Sequence, residues 1–181
     1  GPIMSDAAAR CADRIGAAQG PINMLDEMIT TTFDVIGDVT FSGKEDIDRN
    51  AIHAAIEDYL PAAGRISLLD VLGDTEIRKG DTGMIPSYAP HRSHQRWDDP
   101  DAFAPDRFLE RSAIQRFAYL PFGDGPRICI GASFALQEAV LVLATLLSRF
   151  RFEAVPGYTP DPVMILTLRP EGGVWLTAEP A

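Results

Sequence analysis

Only two cysteines, Cys11 and Cys129, occur among the 181 residues. That excludes the disulfide framework that staples small secreted domains. A bond between the two is disfavoured in a reducing compartment. Basic residues are also scarce: 16 Lys and Arg stand against 26 Asp and Glu, for a formal net charge of −10. So acidic a balance argues against nucleic acid or an anionic membrane surface as a general partner, since both attract basic faces. Long apolar runs are missing too. The longest, around Ala139–Leu147, falls well short of the roughly 20 residues that cross a bilayer. The first ten residues lack the basic-then-apolar order of a secretory leader. These absences predict a cytoplasmic chain with no membrane and no nucleic-acid partner.

What is present is a globular composition, 46% hydrophobic and 23% charged, which supports a folded core rather than a disordered chain. Ser5 is a candidate N-cap for a helix running to about Ala18, with Gln19-Gly20-Pro21 as its stop. Cys11 shares that stretch with Ala8, Ala12 and Ile15, which predicts a buried structural thiol. Leu25, Met28, Ile29, Phe33 and Ile36 keep helical spacing and predict a second helix over about Asn23–Val39. A third is predicted over about Asp48–Leu60, and Ile66–Gly73 continues its apolar character.

After Gly73 the texture changes. Lys79-Gly80-Asp81 suggests a hairpin-like connection, and from Trp97 to Arg127 there is almost no periodicity. An aperiodic stretch of that length implies either disorder or organisation by something other than protein. His91 and His94 read as a surface pair in a polar turn, and Asp98, Asp99 and Asp101 as solvated turn residues. A strong amphipathic helix is predicted over about Gly131–Arg149. Val163–Pro170 and Gly172–Pro180 predict a terminal hairpin. The fold class expected is mainly α with small β hairpins, in two parts: a helical segment, 1–73, and a second part, 74–181.

The segment Phe122-Gly123-Asp124-Gly125-Pro126-Arg127-Ile128-Cys129-Ile130-Gly131 sets one cysteine in a glycine-rich loop just ahead of the strongest helix. A thiolate, not a thiol, binds metal, and the free thiol titrates near about 8.5. The positive end of a helix macrodipole and its unpaired N–H groups favour the anion at Cys129. Six specified residues at this spacing arise by chance in a chain of this length about once in a hundred thousand.

This segment resembles the haem-binding signature of the cytochrome P450 superfamily. The helix after it resembles the family's proximal helix, with Glu138 at the place of a frequent glutamate. Pro105-Asp106-Arg107-Phe108 is similar to the family's Pro-Glu-Arg-Phe element. Ala89-Pro90-His91-Arg92 and Trp97-Asp98-Asp99-Pro100 also have counterparts there, Met84–Tyr88 matches a short strand, and the likeness is nearly continuous from Asp74. The resemblance implies a partial P450 fold, the proximal haem side, with 74–181 as the haem-binding part and 1–73 resembling part of the first half. It implies haem b held by Cys129 as the metal ligand, with Phe122, Gly123, Arg127, Ile130, Gly131 and Ala135 around it. Arg127 would meet a propionate, Phe122 would shield the sulfur, and Gly123, Gly125 and Gly131 would let the backbone pass beneath a flat ring. A thiolate ligand donates electron density to haem iron. The implied function is that of a bacterial, soluble-type monooxygenase or a fragment of one. It would insert one oxygen atom of O₂ into a small organic substrate, with electrons from a ferredoxin- or flavin-type donor.

Departures from the family pattern bound this reading. No Glu-x-x-Arg pair occurs in the chain, so Arg107 is expected to be solvent-exposed or paired with another acid, Asp106 or Glu110. The distal helix with its acid–alcohol pair is absent, and no residue is assigned to catalysis. These gaps place an apparent internal deletion near Gly73–Asp74. They keep open an alternative, a truncated haem-binding module without productive oxygenation, and a third, a remnant that binds no haem. Arg111, Arg116, Arg149 and Arg151 are either a docking patch for an acidic donor or scattered solubilising charge. Self-association is expected from apolar faces such as that of Phe33 and Ile36.

Overall fold

Small residues at helical spacing bring the first two helices together. The computed structural model describes residues 1–41, 51, 54–55, 87–164 and 167–181. The first helix, α1, runs Pro2–Ala17 and buries Met4, Ala7, Ala8, Cys11, Ala12 and Ile15. Those positions repeat at three and four residues and form one stripe. The helix therefore starts before the expected cap. Pro2 opens it, where a missing N–H costs nothing, and Ser5 already donates its amide to the Gly1 carbonyl.

Residues Ile22–Asn23 form a short strand, β1, and α2 follows at Met24–Phe41. Asn23 ends the strand and caps the helix: its Oδ1 accepts from the amides of Leu25 at 3.2 Å and Val174 at 3.0 Å. Asp26 and Glu27 in the first turn suit the helix N-terminus. Along the α1–α2 seam Arg14 donates to Glu27 at 2.8 Å and Arg10 to Asp38 at 3.1 Å. Of the expected helix over Asp48–Leu60 only residues 51 and 54–55 are described, and these are helical and exposed. Of the expected strand Met84–Tyr88 only Ser87 and Tyr88 are described, and Tyr88 opens a helix instead. Residues Ile66–Gly73, the Lys79–Asp81 connection and the Gly73–Asp74 junction lie outside the described residues.

The helix expected after the cysteine loop is found as α4, Ala132–Leu147. Glu138, Val142 and Leu146, spaced by four, are its buried residues. After it, β2 (Phe150–Ala154) pairs antiparallel with β5 (Trp175–Pro180), which also pairs with β1. Between them β3 (Asp161–Met164) and β4 (Leu168–Glu171) form a separate two-stranded hairpin. This corrects the expected terminal hairpin. Val163–Pro170 doubles back on itself, and Trp175–Pro180 pairs with β2, whose partner register runs from Phe150↔Pro180 to Ala154↔Leu176.

Two compact units result: Gly1–Ser67 with Phe134–Ala181, and Leu68–Ser133. The core of the first gathers Ala8, Cys11, Ala12, Ile15, Ile22, Val142 and Leu146, with Met28, Phe150 and Phe152 packed against it. Cys11 is buried, as expected.

Among its described residues the second unit has α3, Tyr88–His91, and short 3₁₀ turns as its regular structure, and it is protein that organises the rest. Trp97 Nε1 donates to the Pro90 carbonyl at 3.1 Å. Trp97, Phe108 and Tyr119 form an aromatic cluster, with Phe108 and Tyr119 centroids 4.8 Å apart. Arg107 is neither exposed nor paired with Asp106 or Glu110. Its guanidinium donates to the main-chain oxygens of Asp98, Asp99, Ala102 and Ala104 and lies over the Trp97 ring. Carbonyl dipoles in a turn can satisfy all edges of the fork at once, which a single carboxylate cannot.

Candidate cofactor site

The cysteine loop is built by short-range main-chain bonds. The Gly123 amide donates to the Leu120 carbonyl at 3.3 Å, and Gly123 and Gly125 take positive φ of 74° and 69°. Side chains with a Cβ rarely adopt that conformation, so these two glycines are required by the turns themselves. Asp124 accepts from the Gly125 amide at 2.7 Å and opens a short 3₁₀ turn, Gly125–Arg127. The Cys129 amide then donates back to the Phe122 carbonyl at 2.9 Å, closing the loop. The Cys129 carbonyl accepts from Ala132 at the head of α4.

This closure leaves the Cys129 side chain exposed. Its neighbours are exposed as well: Ile130 is fully uncovered at 104% and Ile128 is 55% exposed. Phe122 is half-buried. Gly131 has an ordinary backbone, and an added Cβ there would stand 3.8 Å from the Cys129 sulfur. That is an ordinary van der Waals distance, so the protein alone does not require a glycine there.

Of the residues expected at the site, Phe122, Gly123, Cys129, Ile130 and Gly131 share this one loop. Arg127 contributes its backbone to the 3₁₀ turn, and its side chain lies outside the described residues. Ala135 sits exposed in the first turn of α4, within the other unit. Arg116 lies over the Phe117 ring at 4.5 Å, Arg149 pairs with Asp13 at 3.1 Å, and Arg111 and Arg151 are exposed.

One contributor was misread from sequence. His91 is not half of a surface pair: it is half-buried, and its Nε2 accepts from the Leu120 amide at 2.7 Å. Burial pushes its pKa below the ordinary value. Ser87 adds a second hold, its hydroxyl donating to the Leu120 carbonyl at 3.3 Å. The Ala-Pro-His-Arg likeness pointed to this segment, and only the fold distance between residues 91 and 120 concealed the contact. His94, by contrast, is exposed as expected.

The cytochrome P450 family profile matches residues 65–177. Cytochrome P450 132 of Mycobacterium tuberculosis is 47% identical over 106 residues, covering 58% of this chain and 23% of its own length. The cytokinin hydroxylase of Arabidopsis thaliana is 39% identical over 133 residues, 71% of this chain and 26% of its own. Cytochrome P450 3A11 of Mus musculus is 44% identical over 92 residues, 49% of this chain and 18% of its own. The chain belongs to the cytochrome P450 family. It spans about a quarter of the length of the curated relatives it matches.

Haem iron is the cofactor of that family, and the donor set fits it. Among the described residues no group of three His, Cys, Asp or Glu gathers to hold a metal by side chains alone. An iron already held by a macrocycle would take a single side-chain ligand from protein, and the exposed Cys129 could supply it as a thiolate. The uncovered Ile128 and Ile130 beside it offer apolar surface to a flat apolar ring. Among the described residues no helix is long and apolar enough to cross a membrane.

Proposed function

We propose that this chain carries the proximal haem-binding part of a haem-thiolate monooxygenase, with haem b held by Cys129. On this reading residues 74–181 would be that part, and residues 1–73 would come from the first half of such an enzyme. The observation that carries the reading is the Cys129 sulfur, exposed at the end of a loop closed by its own amide on Phe122.

When bound, the haem supplies oxygen activation, which a thiolate ligand favours by donating electron density. The chain's own residues prepare that ligand. The sulfur is exposed, so a bound haem would itself supply the apolar cover that controls solvent access to a thiolate–metal bond, with the half-buried Phe122 beside the loop. Ile130 and Ala135 would give apolar contact to a bound haem, Gly131 would leave room for the ring, and the permanently charged Arg127 would meet a propionate. The reaction would put one oxygen atom of O₂ into a small organic substrate and release the other as water, taking up electrons from a donor and protons from solvent. The electrons come from a ferredoxin- or flavin-type donor, which Arg111 and Arg116 attract if it is acidic. The hydroxylase named among the relatives supports an organic substrate. The two cysteines stand as free thiols, which suits a reducing, cytoplasmic setting.

The test is reconstitution of the purified chain with haem, followed by reduction and addition of CO. A strongly red-shifted Soret band is expected, and Cys129→Ser should abolish it. Failure to take up haem overturns the reading. Haem uptake without product formation, using either a surrogate electron donor or peroxide, would reduce it to a haem-binding module.

A further inference from the structure

The contact between His91 and Leu120 ties the cysteine loop to a turn 29 residues upstream. Both main-chain polar groups of Leu120 are held there: the amide by His91 Nε2 at 2.7 Å, the carbonyl by Ser87 Oγ at 3.3 Å. The same carbonyl accepts from Gly123, and Phe122, two residues on, accepts from Cys129. The path from His91 at the end of α3 to Cys129 is therefore short: one hydrogen bond to Leu120, two residues of chain, and the Cys129–Phe122 bond. A half-buried amide without an acceptor is costly, so the loop has one favoured register while His91 can accept.

The imidazole is itself held. Its ring meets Tyr119 with centroids 5.1 Å apart, and Tyr119 packs on Phe108 and Trp97. Trp97 is in turn anchored to Pro90, the residue before His91. Accepting at Nε2 requires that nitrogen to be unprotonated, which assigns the neutral Nδ1–H tautomer. Two contacts thus fix the ring plane and the acceptor direction.

We propose that His91 is a positioning residue for Cys129: its neutral imidazole, acting through the Leu120 amide, sets the loop register that presents the sulfur. The consequence for haem rests on the reading of Cys129 as ligand. The consequence for the loop does not.

Two variants separate acceptor from ring. His91→Phe keeps an aromatic face toward Tyr119 and removes the acceptor, whereas His91→Gln places an amide oxygen near the position of Nε2. Amide hydrogen exchange at Leu120 and Cys129 is read by NMR on the full chain without haem. Haem affinity and the CO-complex Soret band are read after reconstitution. In His91→Phe both amides should exchange about tenfold faster or more, while Cys11 and Val142 in the other unit stay protected. Haem should bind severalfold more weakly, with part of the red-shifted band lost, and His91→Gln should recover most of both. Unchanged Cys129 exchange in His91→Phe overturns the proposal. So does faster exchange with unaltered haem affinity and band. If the unaltered chain takes up no haem, the ligand reading fails, and the exchange data alone then decide the positioning role. Should His91→Phe not fold, Ser87→Ala removes the second hold on Leu120 and is judged by the same readouts.

Discussion

Arg107 reaches Asp98 through the main chain: Nη1 of the arginine donates to the Asp98 carbonyl oxygen at 3.0 Å. Three more carbonyls, from Asp99, Ala102 and Ala104, complete the fork. One cation thereby fixes the turn between Trp97 and Phe108, whose only regular piece is the short 3₁₀ helix Pro105–Phe108. Hydrogen bonds to charged donors contribute more than neutral ones, and their loss strands several acceptors together. Arg107→Ala should therefore cost about 2 kcal/mol of stability. Arg107→Lys should recover little, because an ammonium cannot reproduce the planar fork. Urea titration followed by Trp fluorescence checks this. A loss in Arg107→Ala no larger than that of a surface substitution would show the carbonyl fan to be incidental.

The contrast between the two units explains what was legible in the sequence. The three long helices were legible because apolar residues recur at helical spacing, and in α1 that stripe is also what is buried. The buried faces of α2 and α4 were less legible, since they include Thr31 with Val35 and Glu138 with Val142 and Leu146. Cys129 was legible because its loop is defined by local spacing, with glycines where φ is positive. Long-range pairings carry no such mark. Nothing near Trp175–Leu176 says that they pair with Ile22–Asn23, more than 150 residues away. The same holds for the His91–Leu120 bond and for the Arg107 fan, where the partners are main-chain oxygens that every residue possesses. Ser5 misled because a good capping residue lay inside a helix that Pro2 could already start.

His91 also gives the second unit a pH dependence. Its pKa is lowered from about 6.5 by burial, so the folded state binds the proton less readily than the unfolded chain. The stabilisation is fully present above about 6.5 and is lost as pH falls through the lowered value. The other ionisable groups lining the same cavity are Arg107 and Tyr119. Unfolding free energy should thus rise with pH across that window in the unaltered chain, and the rise should flatten in His91→Gln. Equal slopes for the two proteins would remove His91 as the cause.

The two thiols should differ sharply in reactivity. Cys11 is fully buried, and its pKa is raised, first by that burial, with the Glu27 carboxylate adding to the effect. Less thiolate and no access both protect it. Cys129 is exposed. One equivalent of a thiol reagent should therefore modify Cys129 in the native protein, and the second thiol should react only on unfolding. Peptide mapping by mass spectrometry identifies the site. Early labelling of Cys11 would contradict the packing of α1 on α2. Bound haem should protect Cys129, which gives an independent reading of the ligand assignment.

Helix α4 offers a test in which two leucines three residues apart should behave oppositely. Leu146 is 2% exposed and packs with Cys11, Ile15 and Ile22, whereas Leu143 is 54% exposed. Leu146→Ala removes buried methylenes and leaves a cavity, at a cost of about 2–5 kcal/mol. Leu143→Glu should change stability by no more than about 0.5 kcal/mol, since its side chain already meets water. It should act instead on association. Leu136, Val140 and Leu147 are also more than half exposed, and with Leu143 they form an apolar stripe along the helix. Contiguous apolar surface of this kind drives contacts between molecules. A carboxylate in its middle introduces desolvation cost and like-charge repulsion between copies that each carry −10. Sedimentation velocity across a concentration series should show Leu143→Glu shifted toward the monomer while its urea midpoint stays in place. A midpoint that falls as far as in Leu146→Ala would place Leu143 in the core and refute the assignment of that face.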